Sequence, residues 1–269
     1  MWATKDTHIS RGVCVTLVSM PGIFILEGMG MQIPPGGLKV SIAEDGSTST
    51  GPVTMLVRLD LWTTWLEIGC RSAGDAAAAA HEMTPDMPDA HKGVALTAEL
   101  HAGLVAMTSL AFAIDGFYDT IRHEMGHHPD EAAWRRNRLA RHSQVVETLR
   151  FLLKLGPSFT GQLGILIKEL FEFRGRAVHP SSAFVEPNYR PDVESGVHPH
   201  LLTYSGPHAV QARALVLTLL GRLLERAAEI SKEGDPGWLD RGRAELIRLS
   251  QTFRTPGDDE PAFVTHPVE

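Results

Sequence analysis

Between Gly93 and Gly126 the apolar side chains fall at steps of three and four: Leu100, Leu104, Met107, Ala111, Ile114, Tyr118 and Ile121. That stripe runs for about six turns and commits the segment to a long helix that must bury one face. Gly126 and Pro129 mark its end. The same period returns downstream. A second helix is expected from Asp130 to Leu155, opening on Asp-Glu, stopping at Gly156-Pro157 and carrying Val145, Val146, Leu149, Leu152 and Leu153 on its apolar side. A third runs from Phe159 to Ala177 through Leu163, Leu166, Ile167, Leu170, Phe171 and Phe173. A fourth opens at Pro207, a favourable first-turn residue, and a fifth spans Gly237 to Phe253. Long helices with short joins pack as antiparallel neighbours, so residues 97–253 read as an antiparallel helical bundle.

The first 70 residues have another character. Ile23–Glu27, Leu38–Ile42 and Val53–Leu61 are short apolar runs, separated by Pro34-Pro35-Gly36-Gly37 and Glu44-Asp45-Gly46-Ser47. They predict a small antiparallel β element over 1–70, with Trp62, Trp65, Met29 and Met31 filling its core or its contact with the bundle. Residues 71–96, with Ala76–Ala80 followed by Pro85 and Pro88, read as a linker, and 254–269 as a mobile tail. The fold class is therefore mainly α, a bundle preceded by a small β-containing element. The long irregular stretch Pro180–Gly206 is of a length that is usually functional or ordered by a partner.

The chain has 269 residues with 25 Lys plus Arg against 32 Asp plus Glu, a net charge of -7, which on average argues against a polyanionic partner. The average hides an asymmetry: residues 131–179 hold nine Lys or Arg and four Asp or Glu. Cys14 and Cys70 make neither a disulfide framework nor a metal-type pair, which suits a reducing, cytoplasmic setting. The apolar run Val13–Leu26 contains Ser19, Pro21 and Gly22 and is too short and broken to span a bilayer. Lys5 and Arg11 precede it as in a signal peptide, but no small-x-small cleavage site follows, so no membrane role is expected.

Two strings can carry chemistry. His123-Glu124-Met125-Gly126-His127 has the HExxH spacing, in which histidines four apart on a helix chelate zinc and the glutamate acts as base. Pro129 and the internal Gly126 argue for a solvated helix end instead, and no metal or other cofactor is expected. The second string is Arg174-Gly175-Arg176-Ala177-Val178-His179-Pro180. Five residues on a helix turn through about 140°, but Pro180 drives His179 out of helical geometry and lets the chain bring the imidazole back towards Arg174. A forked guanidinium and an imidazole titrating near neutrality suffice for metal-free phosphodiester cleavage. Arg174 and His179 can equally be a helix-ending pair that caps and hydrogen-bonds the bundle.

Leu170 to Pro180 resembles the R-x4-6-H signature of the HEPN superfamily, all-helical domains of bacterial defence and toxin systems, and Ala113–Tyr118 and Glu147–Leu149 resemble its other helices. The resemblance covers about residues 97–230. It implies a homodimer in which two Arg-His pairs face one RNA, the 2'-hydroxyl attacking the adjacent phosphate without metal, with His179 moving the proton and Arg174 steadying the phosphoryl charge. It also implies a possible protein partner such as an antitoxin. Active members usually carry Asn, Asp or His directly after the arginine, where this chain has Gly175, and many members are non-catalytic interaction or regulatory modules. The basic residues Arg135, Arg136, Arg138, Arg141 and Arg176 form either a solvated face or a phosphate track towards Arg174. Phe184 and Tyr189 either stack on bases or pin the long loop.

Overall fold

The computed structural model describes residues 29–42, 45–51, 53–179, 181–231 and 237–253. The apolar run 13–26, the strand expected at 23–27 and the tail 254–269 lie outside the described residues. The protein is mainly helical with a small β element, in two compact units, Met1–Asp60 and Leu61–Glu269.

In the first unit β1 (Met29–Gln32) pairs antiparallel with β4 (Leu56–Leu59), and β2 (Val40–Ile42) with β3 (Thr48–Thr50). Gly36 and Gly46 supply the left-handed turn conformations, at φ 76° and 82°. The carboxylate of Asp45 accepts the Ser47 N–H at 2.8 Å, which holds the second turn and lowers the acid's pKa. The polar strand β3 gives no apolar signal in the sequence. Two-stranded ribbons have no second layer to bury their side chains. Accordingly Val40, Ile42 and Leu56 stay more than half exposed, and Met31, 49% exposed, fills no core.

The second unit contains α1 (Trp62–Glu82), α2 (Asp89–Met125), α3 (Glu131–Asn137), α4 (Arg141–Leu152), α5 (Pro157–Val178), a hairpin of β5 (Asn188–Arg190) and β6 (Ser195–Val197), α6 (Pro199–Thr203), α7 (Gly206–Ile230) and α8 (Gly237–Thr252). The stretch 71–96 is not a linker: α1 carries the alanine run, α2 begins at Asp89, and only residues 83–88 connect them. Alanine is the strongest helix former. Here it also lets backbones approach, since Ala73 and Ala76 are buried with Ala106 and Ala209. The helical unit thus starts at Leu61, inside the stretch read as a β element, rather than at residue 97. Trp62 is buried edge-to-face against Phe117 at 5.4 Å, and Trp65 packs with Phe112 at 5.0 Å, so both tryptophans belong to the bundle core.

Helices α1 and α2 form an antiparallel pair: Trp62 meets Gly116, Gly69 meets Leu110, and Met83 clusters with Ala95. Against this pair pack α4, α5 and α7, burying Leu149, Leu163, Ile167, Leu220 and Leu224. Among the described residues α2 is the one helix long and apolar enough to cross a membrane, and half of that window is buried inside the bundle. Cys70 is fully buried and its thiol is pushed up to about 12 by burial.

The helix expected from Asp130 to Leu155 is two helices. Arg138 adopts the left-handed conformation, φ 51° and ψ 41°, and turns the chain between α3 and α4. No glycine announces that break. It places Trp134 in a stack over His128 at 4.3 Å, with Phe151 closing on the same imidazole at 4.7 Å.

Residues 181–206 are held by contacts with the bundle. Val193 and Val197 are buried with Met83 and Ala95, and Arg190, 4% exposed, reaches Glu99 of α2, 1% exposed. Arg190 Nη1 lies 2.7 Å from Glu99 Oε2 and donates to the Leu201 carbonyl, while Nε and Nη2 each donate to Asp192 at 2.8 Å. Glu99 Oε1 accepts the Gly206 N–H at 2.7 Å, which joins the network to the start of α7. Burial works against the arginine's charge, but Asp192 and Glu99 more than offset it and raise its pKa. The Arg190 hydrogen bonds hold the Asp192 carboxyl below its ordinary range. Glu99→Ala leaves Arg190 buried and half-partnered and is expected to cost about 3–5 kcal/mol in urea unfolding; a loss under about 1 kcal/mol would show that the network is not what holds the segment.

Candidate functional site

Helices α2, α4 and α5 bring two arginines to one carboxylate. Arg141 Nε donates to Asp115 Oδ1 at 2.8 Å, and Arg174 Nη1 lies 3.5 Å from Oδ2. Arg174 is further fixed by aromatic faces, its guanidinium carbon 4.5 Å from the Phe171 ring centre and 5.6 Å from that of Phe112. Arg141 stacks on the buried ring of Tyr118 at 4.5 Å, and Arg122 lies over the same ring at 5.3 Å. Two guanidinium charges against one carboxylate leave a surplus positive charge, and both arginines keep part of their side chains in solvent.

His179 does not come back to Arg174. Its N–H still donates to the Gly175 carbonyl at 2.9 Å, so its Cα keeps the helical register although its own φ and ψ have left it. Around the α5 axis it therefore lies about 140° from Arg174 and only about 60° from Arg176. The imidazole is exposed and hydrogen-bonds to no other described residue. Leaving helical φ and ψ at His179, as the sequence suggests, therefore does not by itself reunite the pair.

The basic residues of 131–179 are divided by the α3–α4 break instead of forming one helix face. Arg141 reaches the Asp115 carboxylate that it shares with Arg174, and Arg150 pairs with Glu147 at 2.8 Å. Arg136, Arg138 and Arg176 have no ion-pair partner among the described residues, and Arg135 precedes Arg136 on α3. Phe184 is fully exposed and Tyr189 two-thirds exposed, so neither ring pins the long segment; Arg190, Val193 and Val197 do that.

The HExxH string is split by its own glycine. Helix α2 ends at Met125, and Gly126 takes φ 105°, ψ -167°, a conformation side chains rarely adopt. His123 is on the helix and His127 is off it, with its Nδ1 3.1 Å from Glu131 and 3.2 Å from Arg122. Among the described residues no group of three His, Cys, Asp or Glu side chains is placed to hold a metal ion.

A second titratable cluster lies at the other side of the α5 end. His198 Nδ1 accepts the His200 N–H at 3.1 Å, the two rings are 4.7 Å apart, and the His200 ring is 5.7 Å from Tyr204. Tyr204 Oη donates to the Phe173 carbonyl of α5 at 2.8 Å, and the Phe173 ring carries Arg176 at 4.9 Å. The imidazole of His200 is held below its ordinary range, first by burial and then by the charges of His198 and Arg176. Burial raises the Tyr204 phenol. Sequence reasoning passed over these residues; the available signal was a His-Pro-His string in an otherwise irregular stretch.

Gly175 separates the two clusters on the helix, and a Cβ there would meet nothing within 4 Å. Gly175→Ala is therefore expected to raise stability by about 0.5–1 kcal/mol in denaturant unfolding; destabilisation would mean that bare backbone is needed at this turn. Gly126→Ala, at positive φ, should lose about 1–2 kcal/mol. No family model, curated protein or solved structure matches the chain, so the functional reading rests on these clusters.

Proposed function

We propose that this is a HEPN-like RNA-binding protein of the cytoplasm that acts as a homodimer and cleaves RNA without a metal ion. The observation that carries the reading is the surplus guanidinium charge of Arg141 and Arg174 at Asp115, with Arg174 on the helix that ends at an exposed His179 whose imidazole hydrogen-bonds to no other described residue. A phosphate oxygen entering beside Asp115 meets a guanidinium already oriented by a carboxylate and two aromatic rings, the preorganisation that stabilises developing phosphoryl charge.

In that site the 2'-hydroxyl loses its proton to one imidazole and its oxygen attacks the neighbouring phosphorus. The bond to the 5'-oxygen breaks as that oxygen takes a proton from a second imidazole, leaving a cyclic phosphate and a free 5'-hydroxyl. Two copies of the chain supply the two imidazoles and offer His179 of one to Arg174 of the other, which the separation of these residues around α5 favours. An apolar groove between α5 and α7, lined by Phe159, Ile165, Leu166 and Leu215, supports self-association. Arg135, Arg136, Arg138 and Arg176 would follow the backbone, and Phe184 and Tyr189 would stack on bases.

The second reading is a non-catalytic HEPN-like interaction or regulatory module that meets a protein such as an antitoxin. Gly175, which puts open space where active members carry a polar side chain, favours it, as does the firm seating of Arg174 against Phe171.

Cleavage assays on single-stranded and hairpin RNA separate the two. His179→Ala should slow cleavage by about 10²–10⁴-fold, and Arg174→Lys, which keeps charge but loses the fork, should slow it as well. EDTA should leave the wild-type rate unchanged. Cleavage unaffected by both substitutions rejects the ribonuclease reading, and a dimer that neither binds nor cuts RNA supports the second.

A further inference from the structure

We propose that Arg176, His198 and His200 form a binding site for a phosphoryl group, on the side of α5 turned away from Arg174. Residues two apart on a helix are separated by about 200°, so Arg174 and Arg176 serve opposite sides of the same element. Arg174 is committed to Asp115 and two rings, whereas Arg176 has only the Phe173 face beneath it and no carboxylate partner among the described residues. The Phe173 ring under Arg176 packs edge-on against Tyr204 at 6.5 Å, and Tyr204 in turn against His200, so an exposed guanidinium without a counter-ion among the described residues and two imidazoles are joined through one aromatic cluster, suited to an oxyanion that accepts from all three.

The imidazoles are set for this by their other bonds. His198 uses Nδ1 as an acceptor for the His200 N–H, so in its neutral form the proton sits on Nε2 and is left to donate. His200 is wedged between the His198 ring and Tyr204. Three other polar side chains of this region are already engaged. Tyr204 Oη donates to Phe173, His208 Nδ1 to the Leu202 carbonyl, and Arg190 of the hairpin is taken by Glu99 and Asp192. What presses on His200 is thus Arg176 from α5 and His198 beside it, both positive when charged.

This arrangement couples anion binding to a proton. In the free protein the His200 pKa lies below its ordinary value, from burial first and then from these two charges. A bound phosphoryl group reverses the sign of the local field and favours the imidazolium, so binding takes up a proton and tightens as the pH falls. His179, three residues after Arg176, is the neighbour of that arginine on the same helix face and lies at the edge of the site. The site deepens the RNA reading by naming a phosphate contact that includes Arg176, and it rests on that reading only for the identity of the polynucleotide.

The test uses the full chain and follows the histidine ring resonances by NMR while inorganic sulfate, an oxyanion that does not itself titrate in this range, is added at about pH 5 and about pH 8. Sulfate should shift the His198 and His200 signals, bind several-fold more tightly at the lower pH, and raise the His200 midpoint. Arg176→Ala and His200→Ala should each weaken binding by several-fold, while Arg71→Ala, on a distant exposed turn of α1, should not. Unmoved His198 and His200 signals, or shifts that survive Arg176→Ala in a folded variant, overturn the proposal. A 2'-O-methyl RNA oligomer and a nucleoside 5'-monophosphate then separate the sources. Tighter Arg176-dependent binding of the oligomer identifies a diester of RNA, and tighter binding of the mononucleotide a free phosphate ester; both support the site. Sulfate binding in a protein that cuts no RNA would keep this site while removing the ribonuclease reading.

Discussion

The contact on which most of the functional geometry depends is the buried ion pair between Glu99 and Arg190. Two charges removed from water repay their desolvation only if their remaining donors and acceptors are also satisfied. Here they are matched almost completely. Asp192 and the Leu201 carbonyl take the rest of the guanidinium, and the Gly206 N–H takes the other oxygen of Glu99. An apolar pair of similar volume would hold the segment as firmly, but it would not fix its direction. The ion pair sets the hairpin, α6 and the first residue of α7 in one register against α2. The close approach of Gly103 to the Tyr204 carbonyl, where a Cβ would lie within 1.9 Å, shows how little slack that register leaves.

From that register follows the double use of α5. One side of the helix is drawn to α2 and α4 through Arg174 and Asp115; the other receives Tyr204, whose hydroxyl bonds the Phe173 carbonyl. The residues with most chemical potential on this helix, Arg174, Arg176 and His179, are thereby sorted by azimuth. Arg174 is oriented by a carboxylate that it shares with Arg141, while Arg176 and His179 are exposed and have no ion-pair partner among the described residues. An R-x4-H string read linearly suggests one site. Wound on a helix that stays hydrogen-bonded to residue 179, the same string serves two sides.

The parts legible in the sequence are those governed by period. The apolar stripe from Leu100 to Ile121 lies within α2, the helix expected from Phe159 to Ala177 agrees with α5 to within two residues at each end, and Pro207 marks the start of α7. What escaped was governed by tertiary contact. The alanines of α1 look like a linker because small side chains carry little hydrophobic signal, yet their smallness is what packs them against Ala106 and Ala209. The break at Arg138 has no glycine or proline, and the polar strand Thr48–Thr50 is defined only by its partner β2. The Glu99–Arg190 pair spans 91 positions and involves residue types that sequence reasoning assigns to the surface. His198 and His200 acquire interest only once Tyr204 ties their segment to α5.

The charge distribution changes meaning in the same way. Counted along the chain, residues 131–179 form a basic tract in an acidic protein. In space much of that charge is spent internally, with Arg141 and Arg174 sharing Asp115, Arg150 on Glu147 and Lys168 near Glu172 at 3.9 Å. A polyanion is attracted by the uncompensated remainder, not by the formal count. Among the described side chains of that tract, the arginines left without an ion pair are Arg136 and Arg138 by the α3–α4 break, and Arg176 beside the imidazoles. A phosphate backbone would therefore find discrete landing points rather than a continuous basic track. Of these, the one at Arg176 is built with neighbouring proton donors.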